Sequence, residues 1–231
     1  MEEINKQGSD LTKTNLRGLD LKNTNLRGFD LRGADLTNTN LTNTNLRDAD
    51  LRGADLRDAD LTGANLTGAN LKDADLIGTN FGGANLRDAD LRFTNLEGAN
   101  LINASLEDAD LRVSYLKGAD LRVSYLKGAD LRFVNLENVN LEGAYLKGAD
   151  LRNANLRDAD LTNTNLTGAK NYYSFIAYDT SKRLVHCVKY DKQWMVKAGC
   201  FWGTLKELEV EVKKSHNSPV YLANIEILKN L

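Results

Sequence analysis

The sequence predicts an all-β solenoid over residues 10–170, a β-helix of stacked coils, followed by a small α+β module. Three observations lead there. Every fifth residue from Leu11 to Leu166 is leucine, Phe81 excepted, which gives 32 pentads without an insertion or deletion. The residue two before each leucine is nearly always small, as at Ala34, Thr39, Ala49 and Ala54. The residue between them is usually Asp or Asn, and Gly, Asn or Asp most often stands two after the leucine.

A period of five matches neither a helix at 3.6 residues per turn nor a simple strand at 2. It matches a chain that runs extended for about three residues and then bends. In the extended part, residues two apart point the same way, so the leucine and the small residue face inward and the Asp or Asn faces out. Gly, Asn and Asp supply the backbone freedom a corner needs. An isolated coil has no means of burying its leucines, whereas stacked coils bury them against one another.

These residues carry a resemblance. The pattern Ala-(Asp/Asn)-Leu-x-x, as in Ala49-Asp50-Leu51-Arg52-Gly53, resembles that of the pentapeptide-repeat proteins over about 160 residues. The resemblance implies a right-handed quadrilateral β-helix with 20 residues per coil, and hence eight coils for 32 pentads. At an inter-strand spacing of about 4.8 Å the rod would be roughly 35–40 Å long.

Residues 20 apart then stack, which allows the outer surface to be read in columns. One column carries Arg32, Arg52, Lys72, Arg92, Arg112, Arg132 and Arg152 beside Asp30, Asp50, Asp90, Asp110, Asp130 and Asp150. This is either a self-neutralising solvated face, each exposed pair contributing about 0–1 kcal/mol, or a rail for a phosphate or acidic partner. Asn25, Asn45, Asn65 and Asn85 form a second column suited to an amide ladder. Apolar residues interrupt the polar surface. Phe93, Val113 and Phe133 occupy one corner on successive coils, Tyr125 and Tyr145 stack on a second face, and Tyr115 lies on a third. The C-terminal segment folds back over them, or they meet a partner protein or a second copy of the chain, or they are ordinary surface scatter. The blocks 111–120 and 121–130 are identical, so duplication also accounts for some of these aromatics.

The ends of a β-helix expose strand edges and need caps. Residues 1–9 are a lead-in, and Leu19 and Phe29, in place of small inward residues, are expected to plug the first coil. From 171 to 231 the composition shifts toward Tyr, Val, Lys and Trp. Strands are predicted at Tyr173–Tyr178, Arg183–Tyr190 and Gln193–Phe201, with turns at Asp179-Thr180 and Asp191-Lys192. Thr204 and Glu207 form a capping box ahead of Leu205, Leu208 and Val212. Ser218-Pro219 opens a second helix with Tyr221, Ile225, Leu228 and Leu231 inward. The stretch Ala198-Gly199-Cys200-Phe201-Trp202-Gly203-Thr204-Leu205, with Tyr221 and Ile225, is similar to uncharacterised tails of phage and bacterial proteins, which implies no activity.

Function classes narrow quickly. The repeats contain no His, no Cys and no nucleophile–base pair. His186, Cys187, Cys200 and His216 lack the paired spacing of a zinc site. No catalytic residue, metal or cofactor is therefore expected, and the chain is read as a non-enzymatic scaffold for a macromolecular, chiefly protein, partner. Two cysteines in 231 residues do not make a disulfide framework. The N-terminus lacks a secretory signal, and no apolar run approaches a membrane span, so a cytoplasmic protein without a membrane partner is expected. Some pentapeptide-repeat proteins imitate duplex DNA and engage DNA gyrase, so the resemblance implies that alternative. The similarity of the tail points to a phage or mobile-element origin and adds a second one, a phage-type inhibitor of a host nucleic-acid enzyme or defence protein with the tail as recognition head. Against mimicry, the repeats carry 24 acidic and 20 basic residues, a net of only −4, and no loop interrupts them. Direct nucleic-acid binding along the basic column is opposed by the flanking aspartates.

Overall fold

Parallel bridges join residues 20 apart, at every fifth position from Asp10↔Asp30 to Asp150↔Lys170. Each 20-residue coil therefore has four bridged sides, and the chain is a four-sided β-helix through residue 170. The structure is a computed structural model that describes residues 9–176, 184–190, 193–198, 201–215 and 219–230.

The five residues of one pentad account for all their amide donors, as buried or bridging backbone must. In the pentad 51–55, Leu51 N–H donates to the Asn70 carbonyl (2.7 Å), Gly53 N–H to that of Lys72 (3.0 Å), and Asp55 N–H to that of Ala34 (3.0 Å). Ala54 N–H closes a turn on the Leu51 carbonyl at 3.0 Å. The remaining amide, on Arg52, donates to Oδ1 of Asp50 at 3.2 Å. The Asp or Asn before a leucine thus serves the backbone by accepting from the first turn residue, an Asx turn repeated down the rod. The sequence pattern reveals its outward direction but not this bond.

The second residue after every inward leucine, and after Phe81, has a positive φ, from Lys13 (54°) to Gly168 (69°). A turn with positive φ at its third position has the sign pattern of type II. That requirement explains why Gly, Asn and Asp dominate there.

Inside, the pentad leucines from Leu16 to Leu166 and Phe81 are buried in one continuous cluster with Phe29 and the inward alanines, and Leu11 and Ala169 pack against its ends. Inward threonines keep their hydroxyls bonded, as Thr39 Oγ1 donates to the Leu16 carbonyl at 2.9 Å. Phe29 is buried as expected, whereas Leu19 is 44% exposed. It stands in the first coil, where no described coil lies beyond it to receive the side chain. The amide ladder also falls elsewhere. On the Asn25 face only Asn45 Nδ2 donates to Asn25 (3.0 Å), whereas Asn65 accepts from Thr67. The longer run is on the next face but two, where Asn80 Nδ2 donates to Asp60 (3.2 Å) and Asn100 Nδ2 to Asn80 (2.9 Å).

Beyond the repeats, β1 (Tyr172–Ile176), β2 (Leu184–Tyr190), β3 (Gln193–Ala198) and β4 (Phe201–Thr204) form an antiparallel sheet in sequential order. The expected single strand Gln193–Phe201 is in fact two, paired through Ala198↔Phe201. The sequence places Gly199-Cys200 between them, a glycine-first pair of the kind that suits a two-residue hairpin. The helices α1 (Leu205–Ser215) and α2 (Pro219–Lys229) follow. The capping box is present: Thr204 N–H donates to Glu207 Oε2 (2.7 Å) and Glu207 N–H to Thr204 Oγ1 (3.2 Å). Leu205, Leu208, Val212, Ile225 and Leu228 bury a second core with Val185, Cys187 and Val196. The predicted turns at 179–180 and 191–192, with Ser218 and Leu231, lie outside the described residues, as does the packing of Tyr221.

The two cores give separate tests. Leu96→Ala, in the middle of the shaft, should cost about 2–5 kcal/mol, measurable as a drop in urea midpoint at unchanged slope. Burial pushes the Cys187 thiol up to about 12, so mass-mapped alkylation at pH 8 should leave Cys187 unmodified until the chain unfolds.

Candidate interaction surface

The four bridged sides place the candidate residues around the rod. Phe93, Val113 and Phe133 sit in the turns that follow the side bridged through Asp90, Asp110 and Asp130. Tyr115 bridges Asn95 and Asn135 on the next side. Tyr125 and Tyr145 are bridged to each other on the side opposite Tyr115. The six residues therefore divide into a group of Phe93, Val113, Tyr115 and Phe133, and a separate tyrosine pair.

Phe93, Val113 and Phe133 remain 50%, 48% and 58% exposed among the described residues. All three hold the left-handed turn conformation, with φ of 60°, 61° and 61°. For bulky and β-branched residues this costs roughly 1–2 kcal/mol each. Gly33 and Gly53, earlier in the same column, incur no such cost. Val123 has the same combination, φ 51° and half-exposed, on the corner beside Tyr125.

The tyrosines break a second local rule. Tyr115, Tyr125 and Tyr145 stand where Asp or Asn would accept the amide of the first turn residue. Asp110 and Asp120 accept from Arg112 and Arg122 in this way, both at 3.1 Å. A tyrosine has no acceptor in that position. The Tyr125 and Tyr145 rings instead stack, with centroids 5.2 Å apart and planes at 5°.

The basic column is interlocked with its aspartates. Arg32, Arg52, Arg92, Arg112, Arg132 and Arg152 each pair with the aspartate two residues earlier at 2.5–2.6 Å. Four of them also reach the aspartate of the next coil: Arg32–Asp50 at 3.8 Å, Arg92–Asp110 at 3.6 Å, Arg112–Asp130 at 3.5 Å and Arg132–Asp150 at 4.0 Å. Asp150, the most buried of them, gathers Arg132, Arg152 and Lys170. The arginine hydrogen bonds hold the Asp30, Asp50, Asp90 and Asp150 carboxyls below their ordinary value. Lys72 is the exception. It follows Asn70, not an aspartate, lies 3.8 Å from Asp73, and sits over the Phe93 ring at 5.6 Å.

Among the described residues no cluster of His, Cys, Asp and Glu can hold a metal ion, and no helix is long and apolar enough to cross a membrane. Cys200 and His216 lie outside the described residues.

The depressed carboxyls set a pH dependence. Their folded pKa lies below the unfolded one, so their contribution is complete above the usual carboxylate range and is lost as pH falls through the folded value. Thermal melts should be flat from pH 8 to 6 and fall steeply only below about pH 4. Asp150→Asn should flatten that acid limb.

Comparison with known proteins identifies the repeats. The Pentapeptide repeats family matches in eight copies, over residues 3–28, 30–68, 69–108, 104–143 and 135–170. No curated protein matches. HetL from the cyanobacterium Nostoc sp. strain PCC 7120, a pentapeptide repeat protein involved in heterocyst differentiation regulation, is 33% identical, with 73% of this chain and 89% of that chain covered and a TM-score of 0.38. QnrB1, a plasmid-mediated fluoroquinolone resistance protein, is 18% identical, with 71% and 91% covered and a TM-score of 0.38. A pentapeptide repeat protein of the Arabidopsis thaliana thylakoid lumen is 34% identical, with 45% and 68% covered and a TM-score of 0.25. The family match spans almost every coil, and the chain belongs to the pentapeptide-repeat family.

Proposed function

We propose that the chain is a non-enzymatic scaffold that binds a protein partner through the corner formed by Phe93, Val113 and Phe133, with Tyr115 beside it. One observation carries this: three bulky apolar residues occupy left-handed turn positions and remain half-exposed. Each choice is locally unfavourable, first in backbone strain and again in exposed apolar area. The column shows the less strained alternative in Gly33, Gly53 and Asp73. With all three half-exposed among the described residues, a partner would supply the compensating contact.

The surrounding surface suits such a role. The interlocked Arg–Asp column is internally paired, which makes a polar rim of fixed geometry beside an apolar strip. In this reading residues 171–231 close the last coil, where Tyr172 packs against the rod core. The repeats' net charge of only −4 supports a protein-binding rod over an imitation of DNA.

The double variant Phe93→Asn/Phe133→Asn tests this. Asparagine tolerates the left-handed conformation, so the variant should melt at or above the wild-type temperature while losing a partner captured by the wild type in parallel. Sedimentation at increasing concentration distinguishes a second copy of the chain from a foreign protein. A variant that melts lower, or retains every partner, would show that the aromatics serve the fold.

A further inference from the structure

The Arg–Asp column has a single gap, and it adjoins the apolar corner. At Asn70 the run of aspartates from Asp30 to Asp150 is broken. Arg32 touches two carboxylates, in its own coil and the next, whereas Arg52 pairs with Asp50 and meets Asn70 in the next coil's place. Asn70 Oδ1 accepts from the Lys72 amide at 3.1 Å, while its Nδ2 donates to no side chain among the described residues. Asn80 and Asn100, by contrast, bond theirs to the preceding coil.

An open depression of about 490 Å³ lies over this gap, lined by Arg32, Arg52, Gly53, Asn70, Lys72, Asp73 and Arg92. Gly53 helps to make the space, since a Cβ there would meet no atom within 4 Å. Four cationic side chains and an amide donor converge on it, and Phe93 adjoins it beneath Lys72.

We infer that this notch receives the carboxylate of an acidic side chain from the partner protein, with an adjacent apolar residue of the same segment lying on Phe93. The inference rests on the proposed function, whose apolar strip begins at that residue. A carboxylate would supply the acceptor that the other coils draw from their own aspartates, reaching Arg52, Lys72 and Asn70 Nδ2 together. Asp73 in the lining favours one negative charge over the two of a phosphate. Phe93 favours an apolar neighbour over a ribose or a second charge.

The probes are 3-phenylpropionate, acetate and inorganic phosphate, titrated into the full chain and followed by NMR at the Asn70 side-chain amide and the Phe93 ring. Phenylpropionate should shift both in a saturable manner and bind more tightly than acetate. Asn70→Asp should fill the gap from within, weakening phenylpropionate about tenfold, the equivalent of one charge-assisted bond, while its melting temperature holds or rises. Equal binding by Asn70→Asp, or shifts that never saturate, would overturn the inference. Tighter binding of phosphate would overturn it in favour of a nucleic-acid or phosphorylated partner. If Phe93→Asn/Phe133→Asn loses the captured partner while Asn70→Asp retains it, the apolar strip stands and the carboxylate notch falls.

Discussion

Each inward leucine carbonyl accepts the amide three residues on, and between them one residue must adopt a positive φ. This turn, repeated through all 32 pentads, bends the chain every five residues and returns it above itself after 20. Inward leucines, bridged sides and stacked surface columns all follow from it. The backbone satisfies its own hydrogen bonds with one exception per pentad, the first turn amide, which needs a side-chain acceptor. Two positions are thereby fixed by conformation and hydrogen bonding rather than by packing: the left-handed residue and the Asx residue before each leucine.

Departures at those two positions consequently carry meaning that departures elsewhere do not. A change of Arg to Lys or Thr in the first turn residue alters little beyond the surface. Phenylalanine or valine at the left-handed position, and tyrosine at the acceptor position, weaken the turn itself. They concentrate in the coils from Phe93 to Tyr145 and leave the earlier coils regular. Stability gained from regular coils at one end sustains irregular ones at the other, because a solenoid's stability sums over neighbours. The duplicated blocks 111–120 and 121–130 explain how Val113 and Val123 arose together, but not why Phe93 and Phe133 flank one of them.

The rod was legible because its period is dictated by one turn geometry that writes itself into every pentad. The surface columns were equally legible, since residues 20 apart stack. What the pattern concealed depended on three-dimensional detail. The Asx bond is invisible because Asp and Asn at an outward position look merely solvated. Leu19 has an inward register yet no described coil above it, and register alone does not convey that. The Asn70 notch required knowing that arginines reach the following coil. In the C-terminal module, one apolar run becomes two strands on either side of Gly199-Cys200, a division that β-propensity does not register.

Bulky side chains that occupy left-handed turns while facing solvent are the basis of the proposed function. Intraresidue amide-to-Hα distances at Phe93, Val113 and Phe133, measured by NMR on the free chain, address this directly. The expected result is the short distance of a positive φ near 60° at all three, with the Phe93 and Phe133 rings and the Val113 methyls accessible to a soluble paramagnetic probe. Negative φ at these residues, or side chains shielded from the probe by residues 171–231, would contradict it.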